Sequence, residues 1–384
     1  MEQGVQTGEL SKVAQDVRCW LEKVALPLWA RAGVNPEHGG FREYLTREGD
    51  VEDGGITRLR VQARQIYVFS HGAMLGWSEG LEGARRGFEF LISYGWREDS
   101  GGWCHRLTAE GTVYDGLRDT YDHAFVLLAL AWYYRASRDD RALALIRRTL
   151  LFLDTHLLDT THGGYREGLP DEGHRRQNPH MHLLESMGAL YEATGEIDYI
   201  VRSAELVTLL ERHFLDADKG VLREFFAEDW QPIQTGKGEI WEPGHHYEWV
   251  WLLWCCKRWS VPFSSALPDR LFQFAEEQGI NSTTGLVWDG VGLDGTIRGP
   301  THRLWPQTER LRALIVRYKA GQTEASAITD FVEALFRYYL NDPLVTPGLW
   351  VDCVDAEGMP MGHVVPASTF YHLFGAFAAL MSVA

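Results

Sequence analysis

One short pattern, a turn-forming pair ending in glycine followed by an aromatic or aliphatic residue, recurs six times along this chain. It stands at Gly39-Gly40-Phe41, Gly101-Gly102-Trp103, Gly163-Gly164-Tyr165, Lys219-Gly220-Val221, Thr284-Gly285-Leu286 and Pro347-Gly348-Leu349. The second positions are separated by 62, 62, 56, 65 and 63 residues. Such a pattern marks hairpin turns, and self-similarity at a near-constant period is the signature of a repeat architecture. Six copies fill the 384 residues.

Between the hairpins, apolar residues recur at helical spacing and are divided by capping or breaking residues into two segments per unit. The periodicity predicts twelve helices, at 9–31, 58–76, 80–96, 118–136, 138–157, 177–193, 196–214, 244–259, 264–278, 302–319, 323–341 and 365–383. One helix of each pair is amphipathic, as in 138–157 with its Arg147-Arg148 face. The other is apolar over most of its surface, as in Ala124 to Tyr134 and Trp249 to Cys256, which implies burial on all sides. Six outer and six inner helices predict an all-α, closed (α/α)6 barrel with its hairpins gathered at one end. An open solenoid would need polar capping repeats, and both terminal helices are as apolar as the rest. No Pro/Ser-rich linker interrupts residues 1–384, so one catalytic domain is expected.

Composition narrows the function. With 37 Lys+Arg against 53 Asp+Glu the net charge is −16, and no basic cluster offers a nucleic-acid surface. Five cysteines without C-x-x-C spacing argue against a disulfide framework and a zinc knuckle and fit a reducing compartment. The N-terminus lacks a basic segment leading into an apolar one, and the longest apolar run is too short to span a bilayer. A cytoplasmic protein, monomer or homodimer, is expected.

Near the start of each inner helix the residues are unexpectedly polar. Arg64, His123, His182, His245, Gln307 and His372 follow one another at steps of 59, 59, 63, 62 and 65, so one phase of every repeat is expected to converge on the axis as a pocket. Buried polar groups are costly unless paired or serving a ligand. A lone histidine near a helix start is ordinarily structural, and that is the expectation for His123, His180 and His246. Arg64 and Glu309 are candidates for an ion pair with each other, or with Glu185 and Glu248. Of the aromatic residues in or near the hairpins, Trp103, Trp288, Trp305, Trp350 and Phe370 suit either core packing or the apolar face of a sugar ring.

Two segments, His182-Leu-Leu-Glu185 and His245-His-Tyr-Glu248, set His and Glu one helical turn apart, where the carboxylate can orient the imidazole. Metal binding is the rival reading, but carboxylate-bridged metal helices carry Glu-x-x-His, the reverse order. No H-E-x-x-H helix, EF-hand loop, P-loop or G-x-G-x-x-G fingerprint is present, and no G-x-S-x-G elbow. Neither a metal nor any other cofactor is expected.

Five segments resemble the N-acylglucosamine 2-epimerase superfamily of sugar epimerases and aldose–ketose isomerases. They are Gln62-Ala-Arg64-Gln-Ile-Tyr67, Asn178-Pro-His-Met-His182-Leu-Leu-Glu185, Glu242-Pro-Gly-His245-His-Tyr-Glu248-Trp249, Leu304-Trp305-Pro-Gln-Thr-Glu309 and Phe370-Tyr-His372-Leu. The resemblance implies the same barrel and a monosaccharide substrate handled without metal or redox cofactor. It implies an acid/base pair in His245 and His372, and a ring-opening or O1/O5-binding histidine in His182. Arg64 matches an arginine near the enediolate oxygens, Asn178 a substrate-binding asparagine, Glu248 and Glu309 acidic partners, and Trp305 the pocket tryptophan. The wording of the second and third segments is most similar to the mannose isomerase branch, so interconversion of D-mannose and D-fructose is expected, with a 2-epimerase as the alternative. A glycoside hydrolase would instead draw on Asp122, Glu185, Glu248 or Glu309, and a non-catalytic toroidal scaffold would leave the ring of ionisable groups unexplained.

Overall fold

The computed structural model describes residues 2–52 and 54–383. Helix α1 runs over Glu2–Trp20, passes through a π turn at Leu21–Ala25 and ends with Leu26–Arg31. It is followed by α2 (Leu59–Met74), α3 (Gly80–Phe90, ending in a π turn at Leu91–Gly95), α4 (Thr120–Ser137) and α5 (Asp140–Phe152, with a π turn at Leu153–Leu157). Next come α6 (Gln177–Thr194), α7 (Asp198–Leu209, with Leu210–Phe214), α8 (Pro243–Arg258) and α9 (Leu267–Gln278). The chain closes with α10 (Leu304–Lys319), α11 (Ala325–Leu335, with Phe336–Leu340) and α12 (Ala367–Met381).

The even-numbered helices pack side by side in chain order and α12 returns to α2, which closes the inner ring. The odd-numbered helices surround it, so the expected (α/α)6 barrel of six inner and six outer helices is the architecture found. Patterning accounts for the layering. Helix α4 is buried along nearly its whole length from Thr120 to Ala131, because a helix apolar all round has no face to offer water. Helix α5 buries Ala142, Ile146, Thr149 and Leu150 on one stripe while Arg141, Arg147 and Arg148 stay exposed.

Five of the six sequence repeats fold back through a short antiparallel contact, as in Trp96 with Trp103 and Leu158 with Tyr165. The sixth, at Pro347–Leu349, is a tighter turn. The strand leading into each inner helix then pairs antiparallel with the strand leaving the next hairpin: 56–58 with 106–108, 118–119 with 168–169, 174–176 with 225–227, 240–241 with 290–292, and 301–303 with 353–355. The last, 364–366, pairs with 44–46. This chain of pairings fastens the last repeat to the first, so the hairpin end is closed by backbone hydrogen bonds as well as by side-chain packing.

The fourth residue of five inner helices ties that helix to its own hairpin. Gln62 brackets the backbone of Phe41 at 2.7 and 2.6 Å. The imidazole Nε2 atoms of His123, His180 and His246 accept the N–H groups of Trp103, Tyr165 and Leu222 at 3.1, 2.8 and 3.2 Å, and Gln307 accepts that of Val287 at 2.8 Å. The sixth counterpart, Phe370, packs instead against Trp29 and Trp350. His246→Ala strands the buried Leu222 N–H and opens a cavity; it should lower stability by about 2–3 kcal/mol, read from denaturant unfolding followed by circular dichroism. An unchanged midpoint would show that the hairpin does not depend on this bond. Among the described residues no helix is long and apolar enough to cross a membrane.

Candidate active site

A cavity of about 380 Å³ opens among the inner-helix N-termini at the hairpin end. Its walls include Arg64, Asn178, His182, His245, Glu248, Trp305 and His372, which are seven of the eight residues singled out from sequence. The eighth, Glu309, lies behind His372 and is fully buried. The structure places these groups by their count from each helix start. The sixth residues are Arg64, Phe125, His182, Glu248, Glu309 and His372, and they form the layer facing the axis. His245 is a third residue, and Asn178 and Trp305 are second residues.

This count corrects the expected polar phase. His123 and Gln307 do not face the pocket; as fourth residues they turn to the hairpins, as do His180 and His246, which bears out the structural reading of the three lone histidines. A helix turns by 100° per residue, so a repeat whose length varies between 56 and 65 residues loses side-chain direction entirely unless each helix is counted from its own first turn. Two further expectations change. Among the described residues Arg64 pairs with no carboxylate: its guanidinium donates to the Tyr121 hydroxyl at 2.8 Å and the Ser368 carbonyl at 3.2 Å and lies 4.1 Å from the centre of the Phe125 ring. The cation beside Glu309 is Arg312, at 3.6 Å. Of the aromatic candidates, only Trp305 lines the cavity; Trp103, Trp350 and Phe370 are core, and Trp288 stacks on His302.

Each pocket imidazole has its own carboxylate. His372 Nδ1 is 2.8 Å from Glu309, whose other oxygen accepts the Trp251 indole N–H at 2.7 Å. His182 Nδ1 is 3.2 Å from Glu185, which also accepts the Tyr371 hydroxyl. His245 Nδ1 sits 3.0 Å from both oxygens of Glu224, and its Nε2 is 3.3 Å from the Asn178 amide. The i,i+3 spacing thus produces the His182–Glu185 pair as expected. It does not produce a His245–Glu248 pair, because Glu248 points past its own helix to within 3.8 Å of His182 Nε2. The Trp305 ring stands between the two remaining histidines, with centroid distances of 5.1 Å to His245 and 5.6 Å to His372.

The surroundings drive the charge states apart. Burial alone would disfavour protonated His245, but Glu224, Glu242 and Glu248 outweigh it and push its pKa up to about 9. Burial lowers His372 well below the ordinary histidine range, and the nearby Arg64 and His182 add to the effect. At neutral pH one ring is an imidazolium and the other a neutral base. Burial, with Glu309 adjacent, raises Glu248 well above the carboxylate range, and neither of its oxygens has a hydrogen-bond partner among the described residues. Among the described residues, two sets could bring ligand atoms together for a cation: His182, Glu185 and Glu248, and Glu248, Glu309 and His372.

Sequence reasoning missed Glu224, Glu242, Arg303 and Asp352, all beside or lining the pocket. A signal was present. Three or four residues after each hairpin glycine stands Glu43, His105, Glu167, Glu224, Asp289 or Asp352. In the odd repeats this acid accepts the backbone N–H of the arginine before the inner helix, Arg58, Arg176 or Arg303, at 3.0, 2.6 and 2.9 Å, and pairs with its guanidinium. In the even repeats no arginine precedes the helix. The freed residue then reaches the third residue of that helix: His105 to Asp122, Glu224 to His245, Asp352 to Thr369.

A closed six-pair helical barrel, with two histidines of opposite charge state on either side of an indole at its one built end, is the framework of a sugar isomerase or epimerase. The chain belongs to the N-acylglucosamine 2-epimerase family, whose model matches residues 39–376. It is 34% identical over 99% of its length to the mannose-6-phosphate isomerase of Rhizobium meliloti (strain 1021), covering 98% of that protein. It is 25% identical over 90% of its length to the cellobiose 2-epimerase of Bacteroides fragilis, covering 91% of it. A crystal structure of D-mannose isomerase superposes with a TM-score of 0.85 at 23% identity, covering 96% of this chain and 98% of that one.

Proposed function

We propose that this enzyme interconverts D-mannose and D-fructose by proton transfer between two histidines, through a cis-enediolate and without a metal. The observation that carries the reading is the pair His245 and His372, held in one pocket on either side of Trp305 with their charge states separated. Groups whose environments push their pKa values apart divide into an acid and a base. His372 is the base: Glu309 engages Nδ1, leaving Nε2 to take the proton α to the carbonyl at C2. Arg64, the one pocket arginine without a carboxylate partner among the described residues, meets the charge that develops on the enediolate oxygens. His245, protonated through Glu224, is the acid. His182, held by Glu185, faces the ring oxygen or O1 region of the sugar before opening, Asn178 binds a hydroxyl beside His245, and the Trp305 face covers the sugar carbons. Glu248, raised well above the usual carboxylate range by burial, stands next to His182.

Return of the proton to C1 produces the ketose, and return to the opposite face of C2 produces the epimer. A relative named as a cellobiose 2-epimerase that matches nine-tenths of the chain makes 2-epimerisation the second reading. The five cysteines are free thiols, which supports a reducing cytoplasmic setting. The deciding experiment is NMR of the purified protein with D-mannose, with and without excess chelator. Fructose forming at the same rate in both samples is the expected result. Glucose as the main product would make it an epimerase, turnover abolished by chelator would assign a metal to the His/Glu clusters, and silence would exclude mannose as the substrate.

A further inference from the structure

The alternation of the hairpin-exit residue around the ring separates two kinds of carboxylate in and around the pocket. In the odd repeats the acid is consumed by the arginine that opens the inner helix. Arg58 is matched by Glu43, and Arg303 by Asp289 at 3.0 Å and by Glu242 at 3.4 Å. The pocket's arginines at the rim are therefore already neutralised, and neither presents a free guanidinium fork to an incoming anion.

In the sixth repeat the residue before the inner helix is Pro366, which has no N–H to donate. The equivalent acid, Asp352, is left to turn inward. It lines the cavity and makes no ion pair among the described residues. The Thr369 hydroxyl donates to its Oδ1 at 2.6 Å and the Trp350 indole also lies against the carboxyl, whose remaining lone pairs can still accept. Its counterpart two repeats earlier, Glu224, still accepts the backbone N–H of Glu242 at 3.3 Å, but with no arginine guanidinium at that position its carboxyl is occupied by His245. Asp352 has no histidine to hold, since Thr369 stands where His245 stands. Glu242 and Asp352 belong to the repeats on either side of Arg303, and both line the pocket.

We infer that Asp352 is a specificity residue: its carboxyl accepts hydroxyl hydrogen bonds from the sugar, and together with Glu242 it restricts the pocket to uncharged sugars, rejecting their phosphate esters. The inference rests on the isomerase reading of the site. A carboxylate is a good acceptor for a sugar hydroxyl, whereas a phosphate dianion beside Asp352 and Glu242 meets two carboxyls, with Arg58 and Arg303 already engaged and only Arg64, held by Tyr121 and Ser368, lacking a carboxylate partner among the described residues. Rejection by like charge is a common means of specificity. The chain is thereby expected to differ from its relative named as a mannose-6-phosphate isomerase, despite their 34% identity.

The test compares kcat and KM for D-mannose and D-mannose 6-phosphate in the wild type, D352N and E242Q, with calorimetric binding of D-fructose and D-fructose 6-phosphate alongside. The wild type should prefer the free sugar by about 100-fold or more in kcat/KM. D352N should raise KM for D-mannose about tenfold while kcat stays within about threefold, the signature of lost uniform binding, and D352N and E242Q should each narrow the preference against the ester. Equal use of both sugars by the wild type, or a D352N enzyme with unchanged KM and unchanged preference, would overturn the inference and leave the isomerase reading standing. If neither sugar is turned over yet D-fructose binds and D352N weakens that binding, the isomerase reading falls and the role of Asp352 as a hydroxyl acceptor survives. If neither is turned over nor bound, both fall. Circular dichroism of D352N checks that the near-isosteric replacement folds.

Discussion

His372→Asn is expected to lower kcat/KM for mannose by about 10³–10⁴-fold, the range over which a positioned general base acts, while the helical signal of the protein persists. His372 is driven well below the ordinary histidine range, with Nδ1 engaged by Glu309 and Nε2 without a hydrogen-bond partner among the described residues, whereas His182, also lowered by burial, has Glu248 3.8 Å from its Nε2. Its removal leaves Glu309 still hydrogen-bonded to Trp251 and beside Arg312, so the carboxyl is not orphaned and the barrel should survive. Exchange of the C2 proton of mannose in heavy water should disappear in parallel with turnover, because both need the same abstraction. Activity within tenfold of the wild type would remove His372 from the chemistry.

Glu224→Gln should bring the alkaline limit of turnover down to about pH 6.5, the ordinary histidine value, and reduce kcat at pH 7.5 about tenfold, as the acid becomes largely deprotonated. In the wild type His245 holds its proton up to about pH 9, against burial, because Glu224, Glu242 and Glu248 surround it. The glutamine preserves the shape and removes the strongest of these charges. The sign for stability follows from linkage. A histidine whose pKa is raised by folding stabilises the native state fully below its unfolded value near 6.5, and that contribution fades as pH rises and is gone above about 9. The wild type should therefore lose stability between pH 6.5 and 9 in a way the variant does not. Imidazole NMR titration and thermal unfolding across that range check both statements; coincident pH profiles for the two proteins would show that Glu224 does not set the charge of His245.

Much of the site could be read before the structure, though the ease differed by residue. His182 and Glu185 lie one turn apart on a single helix, and their pairing follows from helical geometry alone. His245 and His372 were reached by resemblance and by the recurrence of polar residues in buried helices. The partner of His245 was misread, because the local candidate Glu248 competes with Glu224, which comes from the preceding hairpin 21 residues earlier. The same holds for Arg64, whose surroundings are supplied by two other inner helices, and for Arg312, which takes the place beside Glu309 that sequence assigned to Arg64.

What the sequence by itself determined is the number and kind of the parts. Six turn signals at a near-constant period, alternating amphipathic and wholly apolar helices, and ionisable groups where an apolar helix should not carry them together require a closed helical ring with a polar end. Those properties depend on composition and periodicity, which are local and survive small changes in repeat length. Only the tertiary structure decided which way each side chain faces and which carboxylate serves which imidazole. Direction turns by 100° with every residue, so an uncertainty of two residues in a loop leaves it undetermined. Closing the ring then brings Glu224 to His245, frees Asp352 at Pro366, and separates two otherwise equal histidines into an acid and a base through the charges gathered around each.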